Sequence, residues 1–251
     1  MTIDMNIKGK TAIITGATGR LAESIVLSLA KAGTNCICIY HKNSTQAKKL
    51  HTALKKLKTK SLFIQTDLTK PQNIENIFAC LGKFAKPQIL INAAAVFEKK
   101  PVEDITFEYI RQTLDVNFSA AMMMTKKFVE VVSRKTKNKQ KPIAKIVNIA
   151  DIVAQKSPAG FSVYSASKAA LVAATKSLAK ELAPDFTVNA VSPGIINWHK
   201  GISAEKKKKI ISHIPAGRTG TPAEVAGAVK FLIENDYITG QVINIDGGRT
   251  I

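Results

Sequence analysis

With 251 residues, 45% of them hydrophobic and 22% charged, the chain can bury one large core and is too ordinary in composition for disorder or a fibrous repeat. Its net charge is +19, from 37 basic against 18 acidic residues, and 32 of the basic ones are lysine. Scattered lysine with only five arginines suits a solvated surface that attracts small anions such as a dinucleotide phosphate, and argues against a nucleic-acid reader, which relies on bidentate arginine.

The opening MTIDMNIKGK carries Asp4 and no continuous apolar run, so no secretory signal is expected. No later stretch approaches the ~18 apolar residues of a membrane helix. Strand-length runs rich in β-branched residues then recur at 11–15 (TAIIT), 36–40 (CICIY), 61–65 (SLFIQ), 89–91 (ILI), 145–150 (KIVNIA), 187–191 (TVNAV) and 241–245 (QVINI). Between them apolar residues recur at helical spacing. Leu21, Ile25, Leu29 and Ala32 mark one helix; Leu171, Ala174, Leu178 and Leu182 mark another, which Pro184 terminates. This alternation predicts an α/β fold, a parallel sheet with helices on both faces. No linker or repeat interrupts it, so a single domain over 1–251 is expected. The stretches KTKNKQK (135–141) and EKKKK (205–209) read as solvated loops or helix ends. Cysteines are odd in number, and Cys36 and Cys38 share a strand, which suits small core residues in a reducing, cytoplasmic setting. His41, His51, His199 and His213 show no metal-ligand spacing, so no metal site is expected.

After the first strand comes Gly16-Ala17-Thr18-Gly19-Arg20-Leu21-Ala22 and then an amphipathic helix. A glycine turn in that place lets backbone approach a pyrophosphate, which the helix N-terminus stabilises; Ala22 occupies the position of a third glycine. The second strand ends Tyr40-His41-Lys42-Asn43-Ser44, with no carboxylate to take a ribose 2′-hydroxyl. Lys42, reinforced by Arg20, suits a 2′-phosphate instead, so NADPH is the expected cofactor.

Downstream, Tyr164-Ser165-Ala166-Ser167-Lys168 places a phenol and an ammonium one helical turn apart on the same face. A cation so placed favours phenolate and is expected to lower the tyrosine pKa toward working pH. Together with Thr15-Gly16, Asn92-Ala93-Ala94, Asn117, Ser192-Pro193-Gly194 and the closing ITGQVINIDGG, this pattern resembles the short-chain dehydrogenase/reductase family over essentially the whole chain. The resemblance implies a Rossmann-type, doubly wound sheet. It also implies that Tyr164 exchanges the proton at the reacting centre, that Lys168 holds the nicotinamide ribose, and that Asn117 supports a proton relay. In the same pattern Asp67, with Leu68 beside it, meets the adenine; Asn92, Ala93 and Ala94 flank the cofactor; and Pro193, Gly194 and Ile195 line it with Gly16 and Leu21. Homotetramers are expected from the family.

Three departures narrow the resemblance. Asp151 stands thirteen residues before Tyr164, where the family usually has a substrate-binding serine; Arg20 stands in the turn where most members have glycine; and Phe97 follows the asparagine motif. All three are similar to the pteridine reductase branch, as is the run His41-Lys42-Asn43. In that branch the arginine lies near cofactor phosphate and pterin, the phenylalanine stacks on the pterin, and the aspartate works with the tyrosine. The segment 195–218 is the lid in this resemblance, and Trp198 is a candidate pocket wall. A carboxylate beside a phenol opposes phenolate and suits a C=N bond flanked by ring N–H donors better than a simple ketone. The expected activity is therefore NADPH-dependent reduction of a pterin or dihydropterin. The alternatives are a 3-oxoacyl-thioester ketoreductase, which should carry serine at 151, and a non-catalytic nucleotide-binding protein of the same fold.

Overall fold

A computed structural model describes residues 5–81, 84, 86–133, 144–198 and 201–251. Among them seven strands form one all-parallel sheet: β1 (Thr11–Thr15), β2 (Asn35–Tyr40), β3 (Ser61–Gln65), β4 (Ile89–Asn92), β5 (Ala144–Ile149), β6 (Phe186–Pro193) and β7 (Val242–Ile245). Eight α-helices alternate with them: α1 (Arg20–Lys31), α2 (Ser44–Lys56), α3 (Pro71–Cys80), α4 (Phe107–Leu114), α5 (Ala120–Ser133), α6 (Ser162–Glu181), α7 (Ala204–Ile211) and α8 (Pro222–Glu234).

A sheet covered on both faces needs apolar side chains in both directions, which is why its strands read as unbroken apolar runs. Along β1, Ile13 and Ile14 point to opposite faces. Ile14 joins Cys36, Cys38, Ile25, Leu29, Val225 and Val229 in the core beneath α1 and α8. Ile13 joins Ile37, Ile39, Ile74, Phe128 and Phe186 on the other side. Cys36 and Cys38 are core residues as expected, whereas Cys80, at the end of α3, is exposed; desolvation holds the Cys36 thiol up at about 12, which keeps it inert.

The strand order is β3-β2-β1-β4-β5-β6-β7, so the chain runs outward from β1 to β3 and then restarts at β4 on β1's other side. Where the order reverses, helices leave on opposite faces and a crevice opens at the carboxyl ends of β1 and β4. Thr15 closes the base of that crevice: its hydroxyl oxygen accepts the N–H groups of Ala93 (2.9 Å) and Ala94 (3.0 Å).

Two sequence expectations change in detail. Of the two forms expected for EKKKK, a solvated loop or a helix end, it takes neither alone but fills most of α7, a solvated helix with no fully buried residue, which Ser203 caps by accepting the Lys206 N–H. β6 runs past the expected valine to Pro193, carrying the chain directly to Gly194. KTKNKQK, Asp4 and His199 lie outside the described residues.

Candidate active site

The crevice wall begins at the turn between β1 and α1. Gly16 adopts φ +65°, and a Cβ there would fall 2.8 Å from the Ala94 Cα, so only glycine lets the two chain segments meet. Gly19 is the N-cap of α1 and supplies no side-chain bond to the first turn, so these N–H groups remain available to an anion. Thr15, Leu68, Asn92 and Ala94 line the adjoining hollow. At the end of β2, half-buried Tyr40 leads into exposed His41 and Lys42, with exposed Arg20 across the turn and no carboxylate at the strand end. Asn43 has a local task as well: its Oδ1 accepts the Gln46 N–H at 3.1 Å and caps α2. Asp67 stays an ionised acceptor, its pKa lowered first by the Thr69 backbone N–H. An uncapped helix N-terminus, a glycine close approach and cationic side chains are the donor set a phosphorylated dinucleotide requires, so these residues fit such a cofactor.

Deeper in, Tyr164 on α6 donates its hydroxyl proton to Asp151 Oδ2 at 2.8 Å. The second oxygen of Asp151 accepts the Val153 N–H at 3.0 Å, because Asp151 caps the short 3₁₀ turn Ile152–Ala154 that follows β5. Lys168, 2% exposed, lies one turn further along α6, donates to the Ile149 carbonyl at 2.8 Å and stands 5.9 Å from the Tyr164 ring centre. β5 and α6 therefore deliver the three groups to one place.

The electrostatics differ from the expectation drawn from spacing alone. Tyr164 is held well above the ordinary phenol range, first by burial and then by the Asp151 charge. Lys168 is lowered to about 8, because removal from water outweighs the attraction of Asp151. Burial also raises Asp151, against the Val153 N–H, the Tyr164 hydroxyl and the charges of Lys168 and Arg249. A phenol is a far weaker acid than a carboxylic acid, so the proton between Tyr164 and Asp151 rests on the tyrosine oxygen. The pair is a phenol poised to donate beside a carboxylate.

Asn117 lies in a π-helical turn, Asp115–Ser119, between α4 and α5. Its side chain is fully engaged: Oδ1 accepts the Val96 N–H at 2.8 Å, and Nδ2 donates to the Val96 carbonyl and to Ser167 Oγ, each at 3.0 Å. Asn92 likewise turns inward, donating to Asn148 Oδ1 at 2.9 Å. The Asn117 bonds tie the segment that carries Phe97 to α6. Phe97, 42% exposed, meets the Tyr164 ring edge-on at 4.6 Å and stacks on Phe161 at 4.9 Å. Half-buried Trp198 has Lys207 of α7 at 5.8 Å from its ring centre.

Phe161 is a neighbour that reading the sequence left out of the site; it could have been found as an aromatic three residues before Tyr164. Pro193 and Gly194 do reach the region. A Cβ on Gly194 would sit 2.8 Å from the Asp246 Cα, so β6 passes the C-terminal turn at backbone distance. Among the described residues no three His, Cys, Asp or Glu side chains gather to hold a metal ion, and no helix is long and apolar enough to cross a membrane.

Comparison with known proteins agrees with this architecture. A family model described as Enoyl-(Acyl carrier protein) reductase matches residues 16–250. The chain is 36% identical over 250 residues to the 3-oxoacyl-(acyl-carrier-protein) reductase FabG of Buchnera aphidicola subsp. Baizongia pistaciae, covering 97% of this chain and 98% of that protein. It is 30% identical over 252 residues to a 3-oxoacyl-(acyl-carrier-protein) reductase of Synechocystis, covering 98% of each. A short-chain dehydrogenase from Burkholderia cenocepacia in complex with NADP superposes with a TM-score of 0.89 at 28% identity, over 98% of this chain and 100% of that one. A tyrosine–lysine pair facing a nucleotide crevice, on a fold and sequence shared from end to end with these proteins, makes this chain an oxidoreductase of the short-chain dehydrogenase/reductase family.

Proposed function

We propose that the chain is an NADPH-dependent reductase of a pterin or dihydropterin. The observation that carries this reading is the Tyr164 hydroxyl donating to Asp151 at 2.8 Å beneath the exposed ring of Phe97. A half-buried carboxylate beside the proton donor suits a substrate that itself offers N–H groups. The amino and ring N–H donors along one pterin edge meet that requirement, and a simple ketone offers none. A flat heterocycle lying on Phe97 gains about 0.5–1.5 kcal/mol beyond its buried area. NADPH is preferred because Lys42, His41 and Arg20 stand where a 2′-phosphate is read and no acid competes, and a fold neighbour carries NADP.

When bound, NADPH supplies the hydride, which reduces the carbon of a ring C=N bond. Gly16, Leu21, Asp67, Leu68, Ala93, Ala94, Pro193 and Ile195 would hold the dinucleotide, and Lys168 would take its ribose. Tyr164 turns its hydroxyl from Asp151 to the ring nitrogen and gives up its proton there, so that the C=N bond gains one hydride and one proton. Asp151, released from the tyrosine, accepts the substrate N–H groups and orients the ring. Its charge also makes phenolate costly, so Tyr164 is quickly reprotonated from the side of Lys168. With the Asn117 side chain already engaged, any part it has in that relay passes through its backbone in the π turn. Exposed Val102 and Phe107 around α4 support the expected homo-oligomer.

A second reading, 3-oxoacyl-thioester reduction, is favoured by the names of the relatives, which match it better than pterin reduction. The carboxylate at 151 opposes it, because a thioester ketone needs a hydroxyl donor there. NADPH oxidation by the purified protein, run with dihydrobiopterin, with a 3-oxoacyl thioester and with NADH in place of NADPH, separates the two. Turnover of the pterin with NADPH is expected. Asp151→Ser should lower kcat/KM for the pterin by about 100-fold or more and raise turnover of simple ketones. Thioester turnover alone, or pterin turnover indifferent to Asp151→Ser, overturns the reading.

A further inference from the structure

We infer that Phe161 is a specificity-determining residue of this site: it braces the Phe97 ring, so that the pocket presents a stiff aromatic face to a flat heterocycle and nothing comparable to a flexible acyl chain. The inference rests on the pterin reading proposed above and names the group that enforces its preference for rings.

The first observation is local. Phe161 is the N-cap of α6, a position where serine, threonine, asparagine or aspartate would bond the first turn, and its side chain makes no such bond. The helix that carries Tyr164 and Lys168 thus begins without a side-chain cap. The half-buried ring goes to the site instead. It stacks on Phe97 with centroids 4.9 Å apart and planes at 30°, and it stands 6.5 Å from the Tyr164 ring at 68°. Phe97 in turn meets Tyr164 edge-on at 4.6 Å, so three rings from two remote segments form one cluster that includes the proton donor.

The backbone holds those two segments side by side. The Lys100 N–H donates to the Gly160 carbonyl at 2.7 Å. Gly160 adopts φ +81°, which glycine accepts without strain, and the Lys99 stem lies so close that a Cβ at 160 would fall 2.8 Å from Lys99 Cε. On the Phe97 side, Asn117 holds Val96, and the Tyr109 hydroxyl donates to the Glu98 carbonyl at 3.1 Å. On the other, the Phe161 carbonyl accepts the Ser165 N–H at 2.7 Å. With the backbone held on both sides, the Phe97 ring can still turn about its own side-chain bonds, and the stack with Phe161 opposes that turning.

A ring already held in place loses less freedom when a planar substrate settles on it. Substrate and transition state share that contact, so the brace lowers KM and leaves kcat nearly alone. An extended acyl chain has no face to stack and gains little from it.

The test pairs Phe161→Ser with Phe161→Tyr. Serine supplies a helix cap, so Phe161→Ser should unfold in urea no more readily than wild type, which separates this role from a structural one. Phe161→Leu serves in its place if that variant fails to fold. With NADPH and dihydrobiopterin, KM of the serine variant should rise about 10-fold while kcat changes by less than about twofold, and Phe161→Tyr should return KM to within about twofold of wild type. A 3-oxoacyl thioester added as competitor should inhibit the serine variant no more weakly than wild type. In free protein labelled with 4-fluorophenylalanine, the ¹⁹F signal of Phe97, assigned through Phe97→Leu, should shift in Phe161→Ser and return in Phe161→Tyr. An unchanged pterin KM in Phe161→Ser, a fall in kcat matching the rise in KM, thioester inhibition that weakens equally, or an unmoved Phe97 signal overturns the inference. Absence of dihydrobiopterin turnover by wild type is instead the failure of the pterin reading, and the ¹⁹F comparison, which needs no substrate, still decides whether Phe161 braces Phe97.

Discussion

At the scale of the residue, the site is governed by where one proton rests. Tyr164 keeps it because burial and the Asp151 charge both disfavour phenolate, while Lys168 pays for its own burial with a pKa near 8. Tyr164 is thereby present as the neutral phenol, the form from which a reduction draws its proton, and not as the phenolate that would take one from an alcohol. It also makes a pH-dependent contribution to stability. The Lys168 pKa falls from 10.5 in the free side chain to about 8 in the fold. Between these values the unfolded chain binds a proton that the folded chain does not, so stability rises with pH through that window. Urea unfolding at pH 7, 9 and 10.5 should show wild type gaining on Lys168→Met by up to about 3 kcal/mol, with all of the gain above pH 8. A difference that stays flat across the three pH values means Lys168 keeps its ordinary pKa. The phenol–ammonium spacing was legible in the sequence, and so was the opposing carboxylate. Which of the two prevails was not, because desolvation depends on burial, and burial is not a property of spacing.

Among the elements, the π turn between α4 and α5 decides how the pocket is walled. One extra residue in the turn aims Asn117 at the strand ends instead of along the helix face, and from there it ties Val96 to Ser167. Ser167 in turn donates to the Tyr164 carbonyl at 2.6 Å, so one buried side chain joins the Phe97 segment to α6. Asn117→Ala removes a side chain only 1% exposed and leaves the N–H and carbonyl of half-buried Val96 without it. It should cost about 3 kcal/mol in urea unfolding and speed hydrogen exchange at the Val96 amide. An exchange rate unchanged at Val96 would show that the clasp does not hold the segment. Sequence comparison pointed to Asn117 and assigned it to the relay; its role as a clasp needed the coordinates of three separate segments.

Across the whole molecule, the central strands are tied to the C-terminal half by an ion pair at the end of the sheet opposite the crevice. Lys145, at the start of β5, is fully buried; it donates to Asp236 Oδ1 at 2.6 Å and to the Asn235 carbonyl at 2.8 Å. Asp236 is itself 6% exposed, so removing its partner strands a buried charge. Lys145→Met should therefore destabilise the protein by about 3–5 kcal/mol, and adding Asp236→Leu should recover much of that loss, because an apolar pair carries no desolvation cost. A double variant no better than the single one would assign the loss to the Asn235 carbonyl instead. This pair left no trace in the sequence, where Lys145 is one lysine among 32.

The sequence by itself determined the class of fold, the run of seven parallel strands and the family. It also picked out the tyrosine, lysine and aspartate that the structure brings together at the crevice. Each of these is carried by local periodicity or by residues at fixed spacing within one or two adjoining elements, and such patterns survive in one dimension. Tertiary structure alone decided that Tyr164 holds the proton, that Asn117 is a clasp and that Phe161 backs Phe97. Those facts depend on desolvation and on contacts between remote segments, and both come into being only when the strands are assembled in the order β3-β2-β1-β4-β5-β6-β7.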